Sequence, residues 1–427
     1  MSRAAHKLLS ASGSKDAYEI EQSLMFDRGS NSQLYRTPSS AGNLKTFTIS
    51  FWLKRTDLGY NNSNLEIIYS GANGSSGTSD YGIIYFDSSD RLGFYHGSTT
   101  IALTSRYFSD ISAWYHIYIK YDSTQGTASN RSAIYVNGVQ ETSFNQQNQP
   151  SQNTDSAFTN AVTLTLGSVA TSSSYPFGGY LADFYLIDGT VKPVTDFGET
   201  DSDTGQWIPK EYTGGSYGTN GFYLKFVSGA IGTDSSGQSN NYTATNLANS
   251  DIYLDTPNNN FAVHNSEGSS SATSFTVGNL WGKATGNSFS KIISTIAPTS
   301  GKWYCEYYVK GTQHNGSVIG TSTRAEGAVR DTSNQSGTAL NDETTWLLQH
   351  NTSANQRIYR SSNVEQENLG NVSVGDVLSI AMDVDNSKVY FRKNNTIVGS
   401  SSGHTINTVE GGNRYFFTFH PIFSYHF

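Results

Sequence analysis

Strict period-two alternation over many short segments constrains this chain more than any other feature. In Gly301-Lys302-Trp303-Tyr304-Cys305-Glu306-Tyr307-Tyr308-Val309, the residues Trp303, Cys305, Tyr307 and Val309 share one side. Phe47, Ile49, Phe51 and Leu53 do likewise, against Thr48, Ser50 and Trp52. Successive side chains of a strand point to opposite faces, so such segments read as half-buried antiparallel strands. The pattern recurs in Tyr115, Ile117, Ile119 and Tyr121, in Val162, Leu164 and Leu166, and at 180–188, 377–385, 389–395 and 415–427. Ile134 and Val136 run into Asn137-Gly138, a pair suited to a type I′ hairpin, which needs positive φ at both positions. Long amphipathic helical stretches are absent, and Gly, Asn and Ser fill the gaps between strands. The expectation is an all-β protein.

At 427 residues the chain exceeds one ordinary domain, and two sandwiches are the natural partition. A net charge of −8, with Lys and Arg scattered singly, argues against nucleic acid as a partner. Such binders need a basic face to neutralise phosphates. The longest apolar run falls short of the roughly 20 residues of a membrane helix, so no membrane insertion is expected. The opening, Met1 to Leu9, carries positive charge but no apolar stretch of the secretory kind. The single cysteine, Cys305, rules out an intramolecular disulfide, and its place on an apolar strand face reads as a buried, inert thiol.

Residues 1–22 read as a polar N-terminal arm, either a frayed end or a segment that orders against a partner through Arg3, Lys7, Leu8 and Leu9. Residues 23–192 form a first sandwich. Residues 193–262 read as a turn-rich connector, of which 221–246 returns to complete that sandwich. Residues 263–427 form a second sandwich, with Trp303 in its core.

The order "TFTISFWLKRT … WYHIYIKYD … RSAIYVNGVQ … LTLGSVA … GYLADFYLIDG" resembles a LamG or concanavalin-A-like jelly roll over roughly 23–190. The order "SGKWYCEYYV … IGTSTR … VGDVLSIAMDVDNSKVYFRKNN … YFFTFHPIFSY" resembles a SPRY domain. The expected fold is therefore two antiparallel β-sandwiches, LamG-like and then SPRY-like, behind a short N-terminal arm. More narrowly, "SLMFDRGSNSQLYRTPSSAGNLKTFTISFWLKRT" resembles structural proteins of marine tailed bacteriophages. That resemblance implies a non-enzymatic virion component, in a head decoration or a tail fibre. Its arm would dock on other virion proteins, its sandwiches would meet a host-surface glycan or protein, and several copies would assemble together. Two rivals are a secreted or cell-surface carbohydrate-binding protein and a glycosidase on the concanavalin-A-like fold. A third, a cytosolic adaptor, rests on the SPRY resemblance alone.

Chemistry-bearing motifs are few. Gly214-Gly215-Ser216-Tyr217-Gly218 fits the nucleophile-elbow pattern, which needs a strand before it and a helix after it, but it lies in a Gly-rich loop with no helix in prospect, so a plain loop is the better reading. A glycosidase needs two carboxylates facing each other across a cleft. The nearest pairs, Glu19 with Glu21 and Asp383 with Asp385, fall in the arm and at a strand-ending turn. No catalytic residue is assigned. Asp201-Ser202-Asp203-Thr204-Gly205 offers two carboxylates beside a flexible glycine, which makes Asp201 and Asp203 the candidate calcium ligands. A solvated turn is the bland alternative. No histidine pairs with another His or Cys at zinc-ligand spacing. Aromatic and amide side chains on expected rim loops are the candidate ligand contacts: Tyr60, Asn61, Asn62, Asp80, Tyr81, Tyr175 and Phe177.

Overall fold

The computed structural model describes residues 18–58, 65–73, 80–169, 175–266, 273–276, 278–284, 292–309, 317–322, 346–350, 357–360, 363–406, 416–420 and 425–426. Among them are antiparallel strands and short 3-10 turns, with no α-helix. The chain divides into two compact units, Met1–Phe261 and Ala262–Phe427.

Two sheets face each other in the first unit. The first runs Val139–Gln140, Ser132–Val136, Tyr115–Asp122, Thr46–Arg55, Gly179–Asp188, Ser23–Phe26 and Ile252–Tyr253, with Phe222–Leu224 also paired to Gly179–Asp188. The second runs Phe144–Gln147, Thr99–Tyr107, Arg91–His96, Tyr81–Phe86, Glu66–Ala72, Thr163–Leu166, Gln33–Arg36 and Thr243–Thr245. Alternation decides what lies between them. Phe47, Ile49, Phe51 and Leu53 point inward and meet Ile84, Phe86, Phe94 and Leu164 in one apolar core. The Asn137-Gly138 turn closes its hairpin as the sequence indicates, with φ of 49° and 77°. Gly138 is required twice over, since a Cβ there would also lie 2.4 Å from the Trp207 ring.

The outer face of the first sheet is covered as well. Phe197 and Tyr212 pack on Tyr118, Tyr185, Ile187 and Tyr223. Residues 193–261, expected in part as a connector, thus belong to the first unit: Phe197 and Tyr212 cover that outer face, while Phe222, Phe226 and Tyr242 enter the core between the sheets. Lys54 emerges there with no exposed surface. Its ammonium donates to Asp255 Oδ2, Asn260 Oδ1 and the Phe261 carbonyl at 2.7–2.8 Å. Asp255 Oδ1 accepts from Trp114 Nε1. Three acceptors for three ammonium protons explain how a lysine tolerates full burial.

The expected arm needs correction at its C-terminal end. Ile20 is buried, its backbone N–H donates to Asn258 Oδ1, and the Tyr18 hydroxyl donates to Asp183 Oδ2 at 2.8 Å. Residues 18–22 are therefore part of the fold, since an apolar side chain and a buried carboxylate hold them. Residues 1–17 lie outside the described residues.

In the second unit one sheet runs Thr273–Thr276, Trp281–Ala284, Tyr425–His426, Lys302–Val309, Val377–Asp383, Lys388–Lys393 and Thr396–Val398, with His404–Thr405 paired to Lys388–Lys393. The other runs Ile292–Ile293, Phe416–His420, Ser317–Ser322, Trp346–His350, Arg357–Arg360 and Asn363–Gln366. Cys305, Tyr307 and Val309 enter a core with Leu378, Ile380, Met382, Val389 and Phe391, while Trp303 is only half-buried at its margin. Burial pushes the Cys305 thiol well above its usual range, so it stays protonated.

Candidate binding face

The outer face of the second sheet in the first unit gathers aromatic residues. Tyr81, Ile83 and Tyr85 alternate outward along Tyr81–Phe86, while Ile84 and Phe86 enter the core. Tyr95 follows on the next strand and Ile67 lies on the other side. Ile67, Ile83, Tyr85 and Val169 form a buried apolar base, against which Leu65, Tyr81 and Tyr95 are half-exposed. The Tyr81 and Tyr95 rings meet edge to face at 6.0 Å. Tyr85 lies over Gly93, where a Cβ would come within 2.2 Å of its ring. The Tyr175 carbonyl accepts from the Ile67 N–H at 2.9 Å, and the Tyr175 side chain is 41% exposed. Burial raises the Tyr81 hydroxyl pKa, and the nearby Tyr95 and Tyr175 add to the shift. Tyr81 and Tyr95 therefore stand together over an apolar base, with the exposed Tyr175 held beside it by its carbonyl bond to Ile67.

Of the residues expected at a rim, Tyr81 and Tyr175 come together here. Asp80 adjoins them, and its Oδ1 accepts from Asn160 Nδ2 at 2.8 Å. Tyr60, Asn61 and Asn62 lie outside the described residues. Phe177 needs correction: it is fully buried and packs on Phe26 with ring centroids 6.2 Å apart. Tyr175 has a φ of 60°, which breaks the alternation and sends Phe177 inward although it stands only two positions on. Tyr95 was missed, although its outward parity in Arg91–His96 was a usable signal.

Part of the first unit is similar to a known family. Residues 28–193 match the Laminin_G_3 family model, described as the concanavalin A-like lectin/glucanases superfamily. No curated protein matches the chain. Solved structures resemble it at a distance. Domains LG4-5 of the mouse laminin alpha1 chain are 11% identical, with a TM-score of 0.32 over 97% of this chain and 86% of that one. The heptameric SAP-like pentraxin from Limulus polyphemus is 14% identical, with a TM-score of 0.33 over 54% and 98%. The SPRY domain of human HERC1 is 13% identical, with a TM-score of 0.29 over 38% and 95%. Likenesses this distant carry no argument about what the chain binds.

Elsewhere in the lectin-like unit, Ser50 and His116 look at first like a nucleophile and its base. His116 Nε2 lies 2.8 Å from Ser50 Oγ, and both residues are buried. Trp207 Nε1 donates to His116 Nδ1 at 3.0 Å. An indole N–H can only donate, so Nδ1 is bare and the neutral ring carries its proton on Nε2. Burial lowers the His116 pKa to about 3, which keeps the ring neutral. Nε2 therefore donates to Ser50 and cannot take its proton, the reverse of what a serine nucleophile requires.

The candidate calcium ligands occupy the turn of a two-stranded hairpin, Gly198–Thr200 with Trp207–Pro209. Asp201 Oδ1 accepts from the Asp203 N–H, the Thr204 N–H and the Thr204 hydroxyl at 2.7–3.0 Å. The two Thr204 bonds hold the Asp201 carboxyl below its usual range. That oxygen is thus engaged in shaping its own turn. Among the described residues no group of three or more His, Cys, Asp or Glu is arranged to hold a metal ion. Ser216 lies outside any strand or helix, and its Oγ accepts from the Gly218 N–H. Asp383 Oδ1 and Asp385 Oδ1 accept from the Asn386 and Gly301 N–H groups, so both carboxylates serve turns.

Proposed function

We propose that this chain is a non-enzymatic adhesion protein, displayed on a tailed-phage virion, whose lectin-like domain binds a host-surface glycan. The observation that supports the binding reading best is the grouping of Tyr81, Tyr95 and Tyr175 on the outer face of a sandwich in the region that matches a lectin family model. Tyrosine rings supply apolar area for the C–H faces of a sugar, and their hydroxyls supply hydrogen bonds, with few torsions to freeze. The virion setting rests on the opening segment's resemblance to phage structural proteins. Self-association on a particle would turn weak single contacts into useful avidity, by about 10²–10⁴ where geometry permits.

Mass spectrometry of purified phage particles tests the setting. The chain should be present in fixed stoichiometry with capsid and tail proteins, and its absence from particles would remove the virion reading. The non-enzymatic reading is tested with a panel of β-glucans, galactans and bacterial polysaccharides. No new reducing ends should form, and turnover abolished by a single Asp or Glu substitution would contradict it.

A further inference from the structure

The second unit carries a trough of its own on the outer face of its larger sheet. Lys302–Val309, Val377–Asp383 and Lys388–Lys393 lie side by side there, and register sets the relief. Tyr304 pairs with Ala381, and Ala381 with Tyr390, so a small residue stands between two tyrosines in one cross-strand row. The Cα atoms of the two tyrosines are then two strand spacings apart, about 9.5 Å. The next row is Glu306, Ser379 and Arg392. The result is an open trough of roughly 440 Å³, floored by Ala381, walled by Tyr304 and Tyr390, and edged by Lys302, Asp383 and Arg392. Ile397 adds an apolar lip that is 37% exposed. Its volume falls in the range of small-ligand sites, about 300–1,000 Å³.

The walls are braced. Tyr304 is 36% exposed, and its hydroxyl donates to Glu306 Oε1 at 2.6 Å. Tyr390 rests against Gly403, where a Cβ would come within 2.7 Å of the ring and where φ is 76°. Arg392 Nη1 donates to the Asn395 side chain and carbonyl, and Lys302 stands 3.6 Å from Asp383. Rings and charges are thus positioned before any ligand arrives.

We infer that this trough binds an uncharged oligosaccharide, the Tyr304 and Tyr390 rings packing on sugar C–H faces while Asp383, Lys302 and Arg392 bond hydroxyls. Three features favour that ligand. Val377–Asp383, in the middle of the trough, has its main chain paired on both sides along its length, so a peptide cannot add there as a further strand. The face holds both signs, Lys302, Lys388 and Arg392 with Asp383 and Glu306, so neither a polyanion nor a polycation meets a surface of a single opposite charge. A sugar hydroxyl both donates and accepts, which matches an edge holding both kinds of group; a proline-rich peptide offers mostly carbonyl acceptors and would leave the carboxylates unmatched. The site is shallow, and its affinity should be weak, with Kd about 1 mM.

The inference does not rest on the tyrosines of the first unit, and the experiment keeps the two apart. Saturation-transfer NMR on the full chain would use neutral hexose, N-acetylhexosamine and pentose oligosaccharides as probes. A heparin fragment and a proline-rich decapeptide would serve as the competing chemistries. At least one neutral oligosaccharide should bind. Tyr304→Ala should weaken it about tenfold, and Ala381→Leu, which fills the floor, should abolish it. Tyr304→Phe keeps the ring on an exposed position and should retain binding, which separates loss of contact from loss of fold. In a Tyr81→Ala, Tyr175→Ala background, Tyr304→Ala should still weaken the remaining signal about tenfold. The assignment is overturned if no neutral oligosaccharide responds to Tyr304→Ala or Ala381→Leu. It is equally overturned if only heparin or the peptide does.

Discussion

At the residue scale, the first unit keeps charged side chains in its interior and gives them specific partners. Asp183 is one case. It sits with φ of 45° where the pairing of Gly179–Asp188 with Thr46–Arg55 slips between Ala182 and Tyr185. The Tyr18 and Tyr223 hydroxyls donate to it at 2.7–2.8 Å. Burial nevertheless dominates and raises its pKa from 3.8 to about 6. Between those values the folded state binds more protons than the unfolded state, so stability falls as pH rises through this window. Asp183→Asn should remove that slope. In urea titrations from pH 3 to 7, the native protein should lose about 3 kcal/mol relative to Asp183→Asn, and parallel profiles would contradict the assignment. Lys54 is the second case. Lys54→Met would strand the Asp255 carboxylate in the interior, at a cost of about 3–5 kcal/mol read from chemical denaturation. A loss under 1 kcal/mol would mean that water reaches the pair.

At the scale of elements, the strands were legible and their cover was not. Thr46–Arg55 shows its core face in Phe47, Ile49, Phe51 and Leu53, because a two-residue period reports parity directly. Nothing local reveals that Lys54 and Arg55, at the end of that run, are buried as well. Their partners lie far away in the chain or on other strands, Asp255 for one, Glu66 and Asp90 for the other. Phe222–Leu224 and Ile252–Tyr253 are too short to carry a period of their own. The binding face was half legible: Tyr81 and Tyr175 stood out as aromatics beside turns, whereas their meeting with Tyr95 depends on strand pairing. The N-terminal segment gives this scale its prediction. A chain beginning at Ser23 loses the Ile20 burial and the Tyr18 bond to Asp183, so the first unit should be destabilised by about 2–4 kcal/mol. Calorimetry of the shortened and full chains measures this. Equal melting of the two would show that residues 18–22 contribute nothing.

At the scale of the whole molecule, two all-β units with separate cores place a tyrosine cluster on one and a tyrosine-walled trough on the other. A low charge density, 15% of residues, suits repeated weak contacts more than a single tight one. The most direct measurement is binding of the labelled full chain to immobilised host-surface polysaccharide, compared with Tyr81→Ala, Tyr175→Ala and their double variant. These are partly exposed positions above a buried base, so the variants should fold and melt like the native chain. The account predicts a saturable signal that falls at least about tenfold in the double variant, as expected when stacking contacts on two rings are lost together. Undiminished binding by a folded double variant would contradict it, because recognition would then lie on another surface.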